Sequence, residues 1–133
     1  MFGKPIRPKP SYGVSLKTFH FTKSDRITNR SEFVNLSNNG QKLKNEHFIA
    51  AVRPGRSTIT RLGITVTKKI GCAAIRNRIK RLTREYFRLN RHRIQGIWDI
   101  NIIARKETST ISSKIAFSSL ERLFDVLVRE YKH

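Results

Sequence analysis

The chain has 133 residues and a mass of 15.5 kDa, with 38% hydrophobic content, enough for one modest core and too much for outright disorder. Its 28 Lys plus Arg against 9 Asp plus Glu give a formal charge of +19, a self-repulsion that a bound polyanion would relieve. No apolar run approaches the roughly 18 residues of a spanning helix, the N-terminus carries no continuous apolar segment of the secretory kind, and Cys72 is the only cysteine, so a cytoplasmic chain without membrane insertion or disulfide framework is expected.

Residues 1–23 hold Pro5, Pro8 and Pro10, two glycines and scattered lysines, the composition of a flexible, extended or disordered N-terminal extension that Phe19 and Phe21 are expected to anchor at its end. Residues 24–133 form a single domain. A first helix is predicted over Asn29 to Asn38, with Asn29 as cap, Glu32 in a capping-box position, Gly40 as stop, and Phe33 and Leu36 on one face. A short strand at Lys42 to Asn45 precedes one at Phe48 to Val52, which Arg53-Pro54-Gly55 ends. Leu62 to Thr67 alternates cleanly, with Leu62, Ile64 and Val66 toward the core and Gly63, Thr65 and Thr67 on a small, polar face.

A basic helix follows over Gly71 to Arg91. At about 100° per residue, Ile75, Ile79, Leu82, Tyr86 and Leu89 form its apolar stripe, with Arg76, Asn77, Lys80, Arg84, Arg88 and Arg91 opposite. The strand Trp98 to Ala104 alternates Trp98, Ile100, Ile102 and Ala104 against Asp99, Asn101 and Ile103. A final helix from Ser112 to Tyr131 aligns Ala116, Leu120, Leu123 and Leu127. The strand, helix, strand order implies a crossover, most simply between parallel strands. The class is α+β: a small mixed sheet of about four strands with three helices, in the order αβββαβα.

From Lys68 to Arg93 ten Lys or Arg residues face one acid, Glu85, over 26 residues. Arginine offers a planar fork of donors to phosphate oxygens, and Asn77 between Arg76 and Arg78 can bond base edges, riboses or backbone. A nucleic acid is therefore the expected partner. Glu85 within this helix is expected to bridge to Arg81. The nine acids form no magnesium-holding motif, the four histidines are scattered, and no Gly-x-Ser-x-Gly elbow or Walker loop occurs. A metal-dependent nuclease acting alone is thereby disfavoured; a ribosomal or other structural RNA-binding protein is an alternative to a role in RNA cleavage. Phe33 with Thr65 and Thr67 suits either a base-stacking cleft or ordinary core packing.

Lys68-Lys69-Ile70-Gly71 followed by Arg76-Asn77-Arg78-Ile79-Lys80-Arg81-Leu82 and Arg84-Glu85 resembles the signature of the bacterial ribonuclease P protein subunit. The likeness extends over Arg26-Ile27, Glu32-Phe33, Leu62-Gly63-Ile64, Phe87 and the strand from Ile100 to Arg105; only about the first 18 residues fall outside it. In that family a large RNA with bound Mg2+ hydrolyses one phosphodiester of precursor tRNA, releasing the 5′ leader, and the basic protein binds both the catalytic RNA and the leader. The resemblance implies a ribonuclease P protein-like fold with a left-handed crossover, and RNA contacts by Lys68, Lys69, Arg76, Asn77, Arg78, Lys80, Arg81, Arg84 and Arg88. It places the leader in a cleft formed by Phe33, Ile49, Ala51 and Thr65. It implies no catalytic or metal-binding residue on the protein, and no DNA or membrane partner. Two positions depart from the pattern: Ser37 stands where many members have a second aromatic, and Ala51 where an aromatic sometimes occurs. One lost base stack is worth about 1–3 kcal/mol.

Overall fold

Strands of alternating character and three amphipathic helices assemble, in the computed structural model, around a single four-stranded sheet. The structure describes residues 25–55 and 58–130; the N-terminal segment expected over residues 1–23 and the expected helix end at Tyr131 lie outside the described residues. Helix α1 spans Arg30–Asn39, and Asn29 caps it by accepting a 2.8 Å bond from the Ser31 amide. Gly40 ends the helix because its backbone N–H closes onto the Leu36 carbonyl at 2.9 Å, where a Cβ would stand 2.5 Å from that oxygen.

Strands β1 (Gln41–Lys44) and β2 (Phe48–Pro54) pair antiparallel. Asn45 shapes the turn between them, its side-chain oxygen accepting from the amides of His47 and Phe48 at 2.9 Å each. Strand β3 (Arg61–Thr65) and strand β4 (Trp98–Ala104) are parallel neighbours joined through helix α2 (Ala73–Asn90), as the strand, helix, strand order requires. Helix α3 (Ser113–Glu130) closes the chain, and the sheet order is β1-β2-β4-β3. Short 3-10 turns at Lys68–Ile70, Arg91–Arg93 and Lys106–Thr110 flank the longer helices. Among the described residues no helix is long and apolar enough to cross a membrane.

The two sheet faces differ in kind. Phe48, Ala50, Val52, Leu62, Ile100 and Ile102 point toward α2 and α3, where Ile79, Tyr86, Phe87, Leu120, Phe124 and Leu127 complete the main core. Phe124 meets the Tyr86 and Phe87 rings edge-on, with centroids at 5.0 and 6.2 Å. Burial pushes the ionisation of the Tyr86 hydroxyl upward, and the Glu121 carboxylate it donates to adds to the effect. Phe87 is 1% exposed and Leu89 38%, which reverses the expected apolar stripe at its C-terminal end. The reason is α3, which packs on the Phe87 side of α2 and leaves Leu89 uncovered.

The opposite face is organised in rows by the register. Arg53, Asp99 and Arg61 form a charged row, Ala51, Asn101 and Gly63 a small one, and Ile49, Ile103 and Thr65 a third. Helix α1 covers the first two, burying Leu36 against Ala51 and Ile27 and laying the Phe33 ring on Gly63, where a Cβ would stand 2.6 Å from Phe33 Cε1. The third row remains half-buried.

What fixes α1 in place is largely ionic. Asp99, with no solvent exposure, accepts from Arg61 at 3.1 and 3.0 Å and from Arg53 at 3.5 Å. Arg61 continues to Glu32 on α1 at 2.6 Å, and Arg53 bonds Asn35, one turn further along the same helix. Glu32 first and Asp99 second hold the Arg61 proton more firmly than water does. Replacing Asp99 by alanine leaves two largely buried guanidiniums without the carboxylate between them, so unfolding free energy measured in urea falls by roughly 3–5 kcal/mol. A loss below about 1 kcal/mol, the range of exposed pairs, contradicts the ionic clamp.

Candidate nucleic-acid interface

Packing fixes which cations are already used. At the C-terminal end of α2, Arg88 donates to Glu85 at 3.2 and 2.6 Å, Arg91 to Asp25 at 2.8 Å, and Arg93 to Asp125 at 2.5 Å and Glu121 at 3.2 Å. The partner of Glu85 is thus Arg88 rather than the expected Arg81. Arg91 also stacks over the Phe87 ring at 5.3 Å.

The N-terminal half of the same element is different. Lys68, Lys69, Arg76, Arg78, Lys80, Arg81 and Arg84 form no ion pair with another described residue. Arg78 donates to the Ile111 carbonyl at 2.6 Å, which ties one of its nitrogens to the turn before α3. The Arg76 Nε is sealed from solvent without an acceptor. Lys68, Lys69, Asn77 and Arg81 are exposed, and Arg76, Arg78, Lys80 and Arg84 half-buried. Seven unneutralised cations over less than three turns and one preceding loop constitute a strong positive field, suited to phosphate oxygens.

This cationic edge runs into a cleft. A cavity of about 640 Å³ lies between α1 and the sheet, lined by Thr28, Arg30, Phe33, Val34, Ser37, Asn38, Ile64, Thr65, Val66, Lys80 and Asn101. A smaller one of about 180 Å³, with Arg26, Gly63 and Arg84 in its wall, adjoins it through Thr28, Phe33, Ile64 and Lys80. Lys80 therefore belongs to both the basic helix face and the cleft.

Of the four residues the sequence places in the cleft, Phe33 and Thr65 line it. Phe33 serves both roles left open earlier, since its ring packs on the small α1 core and also forms cleft wall. Ile49 lies in the half-covered third row and is not in the cavity wall. Ala51 has no exposed surface because Leu36 and Ile27 cover it, so it supplies shape and no contact. Arg88 carries a carboxylate already, unlike the other cations proposed with it. Asn101 escaped notice in the sequence, although its place as a polar residue within an apolar strand was the available signal.

The family model described as Ribonuclease P matches residues 21–128. The chain belongs to the ribonuclease P protein family. It is 43% identical over 116 residues to the ribonuclease P protein component of Desulfatibacillum aliphaticivorans, covering 87% of this chain and 98% of that relative. The solved structure of the Staphylococcus aureus RNase P protein is similar at a TM-score of 0.74 and 31% identity, over 78% of this chain and 95% of that one. For the RNase P protein from Thermotoga maritima the TM-score is 0.69 at 33% identity, over 80% and 97%. Membership in the ribonuclease P family connects the protein with tRNA 5′ processing and with an RNA subunit. The described residues contain no group of three or more His, Cys, Asp or Glu arranged to hold a metal ion.

Cys72 is exposed at the N-terminus of α2, beside Lys68 and Lys69 in the chain. The backbone amides of Ile75 and Ala74 stabilise its thiolate, with Arg76 adding a smaller effect, and its pKa is lowered. A lowered pKa populates thiolate at lower pH, so the pH profile of Cys72 alkylation by iodoacetamide is displaced downward from that of a free cysteine. A profile displaced upward contradicts the helix-terminal geometry.

Proposed function

We propose that this protein is the RNA-gripping subunit of ribonuclease P: the unpaired cations of the Lys68–Arg84 stretch bind the catalytic RNA, and the α1 cleft takes the 5′ leader of precursor tRNA. Endonucleolytic removal of the leader is then carried out by the RNA with its own Mg2+, in the cytoplasm, on RNA and not on DNA. The observation that carries this reading is the sorting of charge. Arg53, Arg61, Arg88, Arg91 and Arg93 are matched by carboxylates, and among the described residues those from Arg76 to Arg84 are not.

Each step assigned to the chain is physical. Lys68, Lys69, Arg76, Arg78, Lys80, Arg81 and Arg84 neutralise phosphates and release condensed counterions, which supplies affinity without sequence information. Asn77 adds a neutral donor and acceptor at the same surface. In the cleft, Phe33 offers one ring face to a base and Lys80 a charge to the adjoining phosphate. Held at both places, the leader and the catalytic RNA are brought together in fixed relation, which lowers the entropic cost of aligning the scissile bond.

Reconstitution tests this. With its catalytic RNA at low Mg2+, the protein accelerates cleavage of precursor tRNA at the mature 5′ end, while protein alone cleaves nothing; no gain over RNA alone rejects the proposal. In the same system Arg76→Ala and Arg81→Ala each flatten the logarithmic salt dependence of RNA binding by about 0.7–0.9 per lost phosphate contact. Arg88→Ala, which removes a cation already paired, changes the slope less. Equal slopes for all three variants and the parent protein remove these arginines from the interface.

A further inference from the structure

We propose that Asn101 is a specificity-determining residue, a hydrogen-bond donor at the cleft floor that reads the edge of one leader base. The inference rests on the leader occupying the cleft and adds to it a selection by nucleotide identity.

Asn101 is 2% exposed and lies in the small row of the sheet, opposite Gly63 in the register. Its Oδ1 accepts from the Thr65 hydroxyl at 3.2 Å. No described residue accepts from its Nδ2, and that atom is absent from the sealed, unpaired side-chain nitrogens among the described residues, which are the Nε atoms of Arg53, Arg76 and Arg91. It therefore opens on the 640 Å³ cavity that Asn101 helps to line. The donor character of the cavity side follows from this orientation of the amide, in which Oδ1 is the atom that meets Thr65.

Nδ2 thus has no acceptor among the described residues and is free to donate to a group that enters the cavity. The neighbouring positions on this face of the sheet, Ile49, Ala51 and Ile103, show that apolar side chains fit there. Gly63 is what makes the arrangement possible, because a Cβ would press 2.6 Å from Phe33 and 3.3 Å from the Asn101 oxygen. Glycine thus lets the aromatic ring and the amide stand side by side. A base stacked on Phe33 directs its edge to the floor, where Nδ2 donates to a carbonyl oxygen or ring nitrogen, and Lys80 meets the phosphate. An aliphatic floor would hold every base equally.

The test is single-turnover cleavage by the reconstituted ribonucleoprotein of precursor tRNAs carrying each of the four nucleotides at each of the first several leader positions. The native protein shows a spread of about threefold to tenfold at one position, the value of one hydrogen bond. In Asn101→Leu, and in Asn101→Ser should the leucine variant not fold, the spread falls below about twofold, while affinity for the catalytic RNA is retained. A spread that persists in a folded variant, or that is missing from the native protein, overturns the assignment. Phe33→Leu separates the two levels: loss of the preference for precursor over mature tRNA upholds leader binding in the cleft, and if that preference survives, the cleft reading itself fails. Loss of the preference in Phe33→Leu together with an undiminished spread in the Asn101 variants defeats only the inference about Asn101.

Discussion

A carboxylate without access to water, Asp99, holds two guanidiniums from flanking strands, and one of these reaches on to the first helix. Everything on that face of the sheet depends on this contact. A single helix of ten residues with one fully buried side chain, Leu36, has little apolar area with which to stay docked. Ionic and hydrogen-bonded contacts through Glu32 and Asn35 supply the geometry that apolar burial does not. Because α1 is held at its polar side, its Phe33 side remains at the cavity instead of sinking entirely into core.

The same logic explains why so basic a protein folds at all. Two groups of its cations are treated differently. Arg53, Arg61, Arg91 and Arg93 tie elements together and are each matched by an acid, so they add little to the external field. Among the described residues, the charged groups from Lys68 to Arg84 have no internal partner except the backbone carbonyl that Arg78 bonds. In the proposed function that imbalance is the binding energy for RNA, held in reserve by the folded protein as self-repulsion. Lys80 and Arg84, shared with the cleft, make one continuous surface of what would otherwise be two sites.

Much of this was legible from residue order. Period-two alternation located β3 and β4, and the density of bases between Lys68 and Arg93 marked the element that carries the unpaired cations, because both are local properties of the chain. The ionic clamp was not legible, since Arg53, Asp99 and Arg61 become neighbours only through the pairing of three strands. The same limit accounts for Leu89 and Phe87, whose burial is decided by where α3 lies, and for Glu85, whose choice of Arg88 depends on rotamers. Ala51 was assigned to the cleft by resemblance; whether a helix seals it is a tertiary fact. Asn101 read as an outward residue of an alternating strand, and only the covering of that face by α1 turns it into a buried amide beside a cavity.

The claim that one polypeptide surface presents two RNA-binding regions, a cationic helix and an adjoining cleft, is tested most directly by affinity cleavage. An iron chelate is attached through Cys at Asn38→Cys or at Asn77→Cys, each in a Cys72→Ser background, within the reconstituted complex bound to precursor tRNA. Scission of the leader from position 38 and of the catalytic RNA from position 77 is the expected outcome. A leader left intact from position 38, or cut equally from both positions, contradicts the account.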